Sequence, residues 1–245
     1  MMRPMRKIKK GWGTAGVLAL AIGLSCVAQA GVVTSMLIDC GPTASSGFTN
    51  LLGGNVWNGC FSNNYTISLL TTNGISSGIS FRSEGSSGTG SWNLGATPDA
   101  NLNDGKFAFK SVTQDGLFTA INEAATVTLS GLNADYTYNL ILYGARTNNV
   151  RYTTYTVGSS NVTLQTGSVG GWNSSQVVSI ANITPDALGQ IVLSYYGSTT
   201  SSGASRDSNG YLNAMEIQVI PEPATIGMLV VGAISVLFVR RLRTR

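Results

Sequence analysis

The sequence predicts an all-β fold, a jelly-roll or related β-sandwich ectodomain, with a signal helix before it and an apolar, transmembrane-type helix after it. Three observations predict it. Apolar and β-branched runs of strand length recur through the middle of the chain, with Gly, Asn, Asp and Pro between them. Helical patterning has little support outside the two ends, apart from a turn near Leu117 to Ala125. No internal repeat is visible, which disfavours a propeller or a β-helix.

Taken in order, Val32 to Ile38 is an apolar run stopped by Asp39-Cys40-Gly41-Pro42. Tyr65 to Leu70 and Ile79 to Arg82 flank the turn-rich Thr71 to Gly78. Phe107 to Val112 alternates and reads as a strand. Thr126 to Leu129, the turn Asn133-Ala134-Asp135, and Tyr136 to Tyr143 give the clearest hairpin-like signal, with Tyr136, Tyr138, Leu140 and Leu142 on one parity. Tyr152 to Val157 is a strand by alternation and propensity. Asn161 to Thr166, Gln176 to Ile180, Gln190 to Tyr196 and Tyr211 to Val219 complete a series of the kind that sandwiches and jelly rolls use.

The two ends read as addresses. Arg3, Arg6, Lys7, Lys9 and Lys10 precede an apolar run from Ala15 to Leu24, then Ala28-Gln29-Ala30. This is a secretory signal peptide over 1–30, with Ala28 and Ala30 at the positions signal peptidase must accommodate and cleavage expected after Ala30. Its partners are the secretion machinery and that peptidase. The ectodomain is expected over 31–219 and a third segment over 220–245. Pro221-Glu222-Pro223 is followed by an apolar helix, 224–239, and by Arg240, Arg241, Arg243 and Arg245. At 1.5 Å per residue the helix covers about 24 Å, enough for a thin bilayer with snorkelling arginines. Positive charge stays cytoplasmic, so the domain is expected outside the membrane. The prolines can neither continue a helix nor donate a ladder hydrogen bond, so they are expected to keep the link extended and accessible.

Those last residues resemble the PEP-CTERM sorting signal. The resemblance implies that a membrane protease of the exosortase type recognises Pro221, Glu222 and Pro223 and removes the helix. The protein would then pass from a transient inner-membrane anchor to the cell envelope or the extracellular matrix. The mature chain is loosely similar to an exported jelly-roll domain of galactose-binding-like type. The residues that carry this likeness are Leu37-Ile38-Asp39-Cys40-Gly41, Gly131-Leu132 with Tyr136 to Gly144, and Gly210 to Ile217.

The net charge of +4 belongs to the ends. Residues 31–222 hold six basic residues, Arg82, Lys106, Lys110, Arg146, Arg151 and Arg206, against all eleven acids, for a net charge of −5. A mildly acidic domain with scattered cations has no footprint for nucleic acid. About 190 mature residues suffice for one sandwich with its own core. Cys26 leaves with the signal, and Cys40 with Cys60 either closes a disulfide or remains as thiols.

The absence of histidine excludes Ser-His-Asp and Cys-His catalysis and histidine-based zinc sites. Paired carboxylates would suffice for glycoside hydrolysis, but most acids sit in turns, where Asp bonds its own backbone. Asp99, Asn101, Asn103 and Asp104 alternate as a calcium loop would, without the glycine and glutamate positions of an EF-hand. Asp207, Asn209, Asn213 and Glu216 form a second oxygen-rich group. Calcium is therefore the one cofactor to test, at Asp99, Asn101, Asn103, Asp104, Asp207 and Glu216. Trp57, Trp92 and Trp172, each followed by Asn, either stack on sugar rings or plug the core. The expected function is a non-enzymatic, envelope- or exopolysaccharide-associated structural or adhesive protein with weak carbohydrate contacts. The alternatives are a hydrolase using paired Asp/Glu and a permanently anchored surface domain.

Overall fold

Alternating side chains become strands wherever one parity can be buried, and in this chain that happens many times over. The computed structural model describes residue 32 and residues 34–41, 49–60, 63–91 and 97–221. The signal segment with Ala28 and Ala30, Trp92, Glu222, Pro223 and the arginine-rich tail lie outside the described residues. In chain order the strands are β1 (Thr34–Cys40), β2 (Thr49–Leu52), β3 (Asn55–Cys60), β4 (Thr66–Leu70), β5 (Ser76–Glu84), β6 (Gly88–Ser91), β7 (Asp115–Phe118) and β8 (Ala125–Ser130). They continue as β9 (Tyr136–Tyr143), β10 (Arg151–Val157), β11 (Ser160–Ser168), β12 (Gly171–Trp172), β13 (Val178–Ile183), β14 (Gln190–Ser198), β15 (Tyr211–Leu212) and β16 (Ala214–Pro221). One helical turn, α1 (Lys110–Thr113), precedes β7.

Two large sheets face each other. One has the order β13-β9-β16-β1-β3-β2 and the other β12-β11-β10-β14-β8-β5-β4. Only β1 with β3 pairs in parallel among the named pairs of the first sheet. A three-stranded sheet, β15-β7-β6, adds Leu117 and Leu212 to the same core. That core joins Met36, Ile38, Leu140, Met215 and Ile217 of the first sheet to Phe81, Val127, Leu129, Leu193 and Tyr195 of the second. Each such side chain contributes about 1.5–3 kcal/mol relative to exposure.

The first sheet also buries its other face. Leu37, Trp57, Tyr143 and Ala214 pack beneath Leu102, Phe107 and Val112. This corrects the strand expected over Phe107 to Val112. The segment is instead a chain of turns running into α1, because Asn103 and Asp104 adopt left-handed φ of 50° and 53° and fold the backbone onto the sheet. Phe107 meets Trp57 at 5.7 Å and Tyr143 at 6.2 Å between ring centroids. The turn expected near Leu117 is strand β7 at its start.

The hairpin expected across Asn133-Ala134-Asp135 is also corrected. β8 pairs with β5 and β14, whereas β9 pairs with β13 and β16. The turn therefore carries the chain from one sheet to the other. Tyr138 fixes that arch, its Oη accepting from Asn133 N at 2.9 Å and donating to Asn133 O at 3.2 Å.

Cys40 and Cys60 stand opposite one another in the β1–β3 register, buried, and both are free thiols. Of the two outcomes weighed from sequence, the structure holds the unbonded one. Pro221 is the last residue of β16, opposite Tyr136 and buried, rather than in an accessible link. Among the described residues no helix is long and apolar enough to cross a membrane.

Candidate functional site

The three tryptophans have different fates. Trp57 is 1 % exposed and its ring is held against Phe107, so protein occupies the face a sugar would need. Trp92 lies outside the described residues. Trp172 is half-buried: it packs on the second cluster and borders a cleft of about 170 Å³.

The cleft is built by the short β12 and the loop after it. Gln165 and Ser168 of β11 line one side, and Ser174, Ser175 and Gln176 line the other. Asn173 sets the loop's shape, its Nδ2 donating to Gly144 O at 3.1 Å and Gln176 O at 2.8 Å while its Oδ1 accepts from Gln176 N at 2.9 Å. The Tyr143 hydroxyl donates to Asn173 O at 2.6 Å. The side chains of Ser174, Ser175 and Gln176 have no hydrogen-bond partner among the described residues. A fixed aromatic beside open hydroxyl and amide groups can take up a polyhydroxylated ring, with C–H groups on the indole and hydroxyls on the rim.

A second cleft, of about 180 Å³, is lined by Phe118, Arg146, Arg151, Asn209 and Tyr211. Arg146 and Arg151 flank a tight loop in which Asn148 and Asn149 take φ of 60° and 97°. Arg151 Nη1 donates to Tyr211 Oη at 2.6 Å, with its guanidinium 5.7 Å from that ring's centre. Arg146 bonds the same phenol. Burial raises the Tyr211 pKa, and the two arginines oppose that rise. Tyr211 reaches this place because Gly197 lets the Asn209-Gly210 backbone lie directly on β14; a Cβ at Gly197 would stand 2.1 Å from Asn209 C. Sequence reasoning missed this cluster. The signal available was two of the domain's six cations within six residues, either side of Asn-Asn.

The oxygen-rich groups are used internally. Glu216 is fully buried, accepting from Lys106 Nζ at 2.6 Å and Asn103 Nδ2 at 2.8 Å. Asp99 Oδ1 accepts from Asn101 N at 2.8 Å, and Asp104 is exposed. Asp207 is exposed and accepts from Thr199 N and Oγ1 and Ser205 Oγ, which lowers its pKa to about 2. Asn213 is spent on backbone, donating to Thr113 O and Asp115 O and accepting from Ala145 N. Asn103 and Glu216 come together, but around an ammonium group. Among the described residues no group of three His, Cys, Asp or Glu could hold a metal ion.

One acid pair is close together. Asp39 and Asp115 are 3 % and 0 % exposed. Desolvation, then the neighbouring Asp115 charge, pushes the Asp39 pKa well above the usual carboxylate range. Its Oδ1 has no hydrogen-bond partner among the described residues. Neither cleft is lined by a carboxylate among the described residues.

No family model matches the chain, and no curated protein matches it. Among solved structures it is similar to the ANXUR1 extracellular domain from Arabidopsis thaliana, at 13% identity and a TM-score of 0.46 over 78% of this chain. The chain spans about half of that one, 49%. It is also similar to TmCBM61, solved in complex with beta-1,4-galactotriose, at 13% identity and a TM-score of 0.27, over 58% of this chain and 88% of that one.

Proposed function

We propose that this chain is an exported structural or adhesive protein of the cell envelope or its exopolysaccharide, a jelly-roll sandwich that binds carbohydrate without catalysis at the Trp172 cleft. The observation that carries the binding is the half-buried indole beside the unpartnered Ser174, Ser175 and Gln176. Clefts lined by amides, hydroxyls and arginines hold a ligand but supply no acid–base pair for hydrolysis. Export and sorting rest on the order of the terminal segments, with Pro221, Glu222 and Pro223 as the residues an exosortase would read. We place the protein transiently in the inner membrane and finally outside it.

Affinity measurements on the secreted protein against immobilised polysaccharides, neutral β-1,4-galactan among them, test the binding. Trp172→Ala should weaken it at least tenfold, the size expected when about 1.4 kcal/mol of contact is lost. Unchanged binding by that variant would remove the cleft from the mechanism. Intact mass of the same material tests sorting: a species still carrying 224–245 is a permanently anchored protein instead.

A further inference from the structure

The domain is acidic overall and poor in cations, yet two guanidinium groups converge on one phenol oxygen. Other cations have local employment: Arg82 pairs with Glu84 at 2.7 Å, Lys106 with Glu216, and Arg206 lies 4.7 Å over the Tyr196 ring. Among the described residues Arg151 forms no ion pair, and its side chain bonds a neutral phenol that accepts one of its five N–H groups. Placing like charges side by side costs energy that an anion between them returns. Planar guanidinium forks match a carboxylate in two parallel hydrogen bonds.

The rest of the lining suits a sugar acid in particular. Phe118 gives an apolar wall, and Asn209 donates from Nδ2 to Thr119 O at 2.7 Å, leaving Oδ1 as an acceptor. The Trp172 cleft is one loop away. Gly167 lines that cleft, and a Cβ on it would stand 2.6 Å from Arg146 O; Asn148 N donates to Gly171 O across the same wall. The two clefts therefore share a backbone wall.

We propose that Arg146 and Arg151 bind the carboxylate of a uronate residue, so that the polysaccharide held by this protein is acidic. The proposal rests on the carbohydrate-binding reading and names its substrate class. The Trp172 cleft takes a ring by stacking, and the arginine cleft takes the charge of a ring farther along the same glycan.

The test uses the full mature domain with polygalacturonate, alginate and hyaluronate, and with fully methyl-esterified polygalacturonate, in which the rings remain and the charge is gone. At least one uronate polymer should bind about tenfold more tightly than the ester, the advantage shrinking as salt screens it. Arg151→Gln should bring the uronate polymer down to the level at which the unaltered protein binds the ester. Trp172→Ala should weaken both. Equal binding of acid and ester to the unaltered protein would overturn the uronate proposal while leaving the stacking reading intact. Charge-dependent binding that Trp172→Ala does not affect would do the reverse. Binding of none of the four polymers overturns the uronate proposal, and neutral galactan then decides the stacking reading alone. Because the acid–ester comparison needs no variant, a misfolded Arg151→Gln protein does not spoil it.

Discussion

At the scale of single residues, a carboxyl that sequence placed in a stop signal is buried with one oxygen lacking a partner among the described residues. Asp39 follows Leu37-Ile38 and reads as the polar end of a strand, but β16 and β3 flank it and Asp115 lies beside it. A raised folded-state pKa means the native protein holds a proton that the unfolded chain has lost. The stability contributed by that proton is complete below the unfolded value of about 3.9 and disappears as pH rises through the higher folded value. Asp39→Asn should therefore raise the melting temperature at pH 7 and flatten the gain that the unaltered protein makes between neutral and mildly acidic pH, both read by calorimetry. Asp207 acts in the opposite sense and in a different window. Its depressed pKa of about 2 gives stability that is present above about 3.9 and lost as pH falls through about 2. A melting temperature for Asp39→Asn that falls at pH 7 would mean the carboxylate has a partner worth more than its desolvation.

At the scale of elements, what sequence made legible was parity, and what it hid was the second buried face. β9 and β8 alternate and were readable. β1 and β16 are buried on both parities, polar residues such as Asp39 and Glu216 included, because the segment 99–113 covers the sheet's outer side. β3, written Asn55-Val56-Trp57-Asn58-Gly59-Cys60, has no alternation to read and is held by Asn58, which bonds Leu37 O and Leu70 on two neighbouring strands. Local reading also joined β8 to β9 as a hairpin, since nothing local states that the sheets change at Asn133. In the two clefts Trp172 is visible from sequence as one of three Trp-Asn pairs, whereas Tyr211 lies 60 residues from the Arg151 it meets. The covering segment is tied to the sheet in part by a link made at 110 residues' separation, Lys106 to the buried Glu216, beside Asn103 on the same carboxylate. Lys106→Ala leaves that carboxylate buried without its cation and should cost about 3 kcal/mol, while Lys106→Met with Glu216→Leu should recover most of it. Chemical denaturation of the single and double variants checks this; no loss in the single variant would assign the segment's anchoring to Phe107 and Val112, and an equal loss in both would mean that apolar contact cannot replace the ion pair.

At the scale of the whole molecule, the two thiols report on cooperativity. Cys40 and Cys60 close the core ends of β1 and β3, and β1 sits between β16 and β3 in the middle of its sheet. Burial raises the Cys40 pKa well above its ordinary value, with the neighbouring Cys60 next in effect, so the reactive thiolate is scarce as well as shielded. Neither sulfur can be reached by a local opening of a loop or edge strand; the central sheet has to part from the core that Tyr155, Leu193 and Tyr195 complete on the other side. A thiol reagent should therefore leave the native mature protein unmodified for as long as it stays folded. Labelling of both cysteines should then appear together, at the rate of global unfolding and with the same denaturant dependence. In denaturant two labels per chain should add, because the native thiols are unbonded. No label in denaturant, with two after reduction, would mean that the protein closes the disulfide across the β1–β3 register. One thiol labelling well ahead of the other would mean that β3 leaves the sheet before β1 does, and that the sandwich does not unfold as one unit.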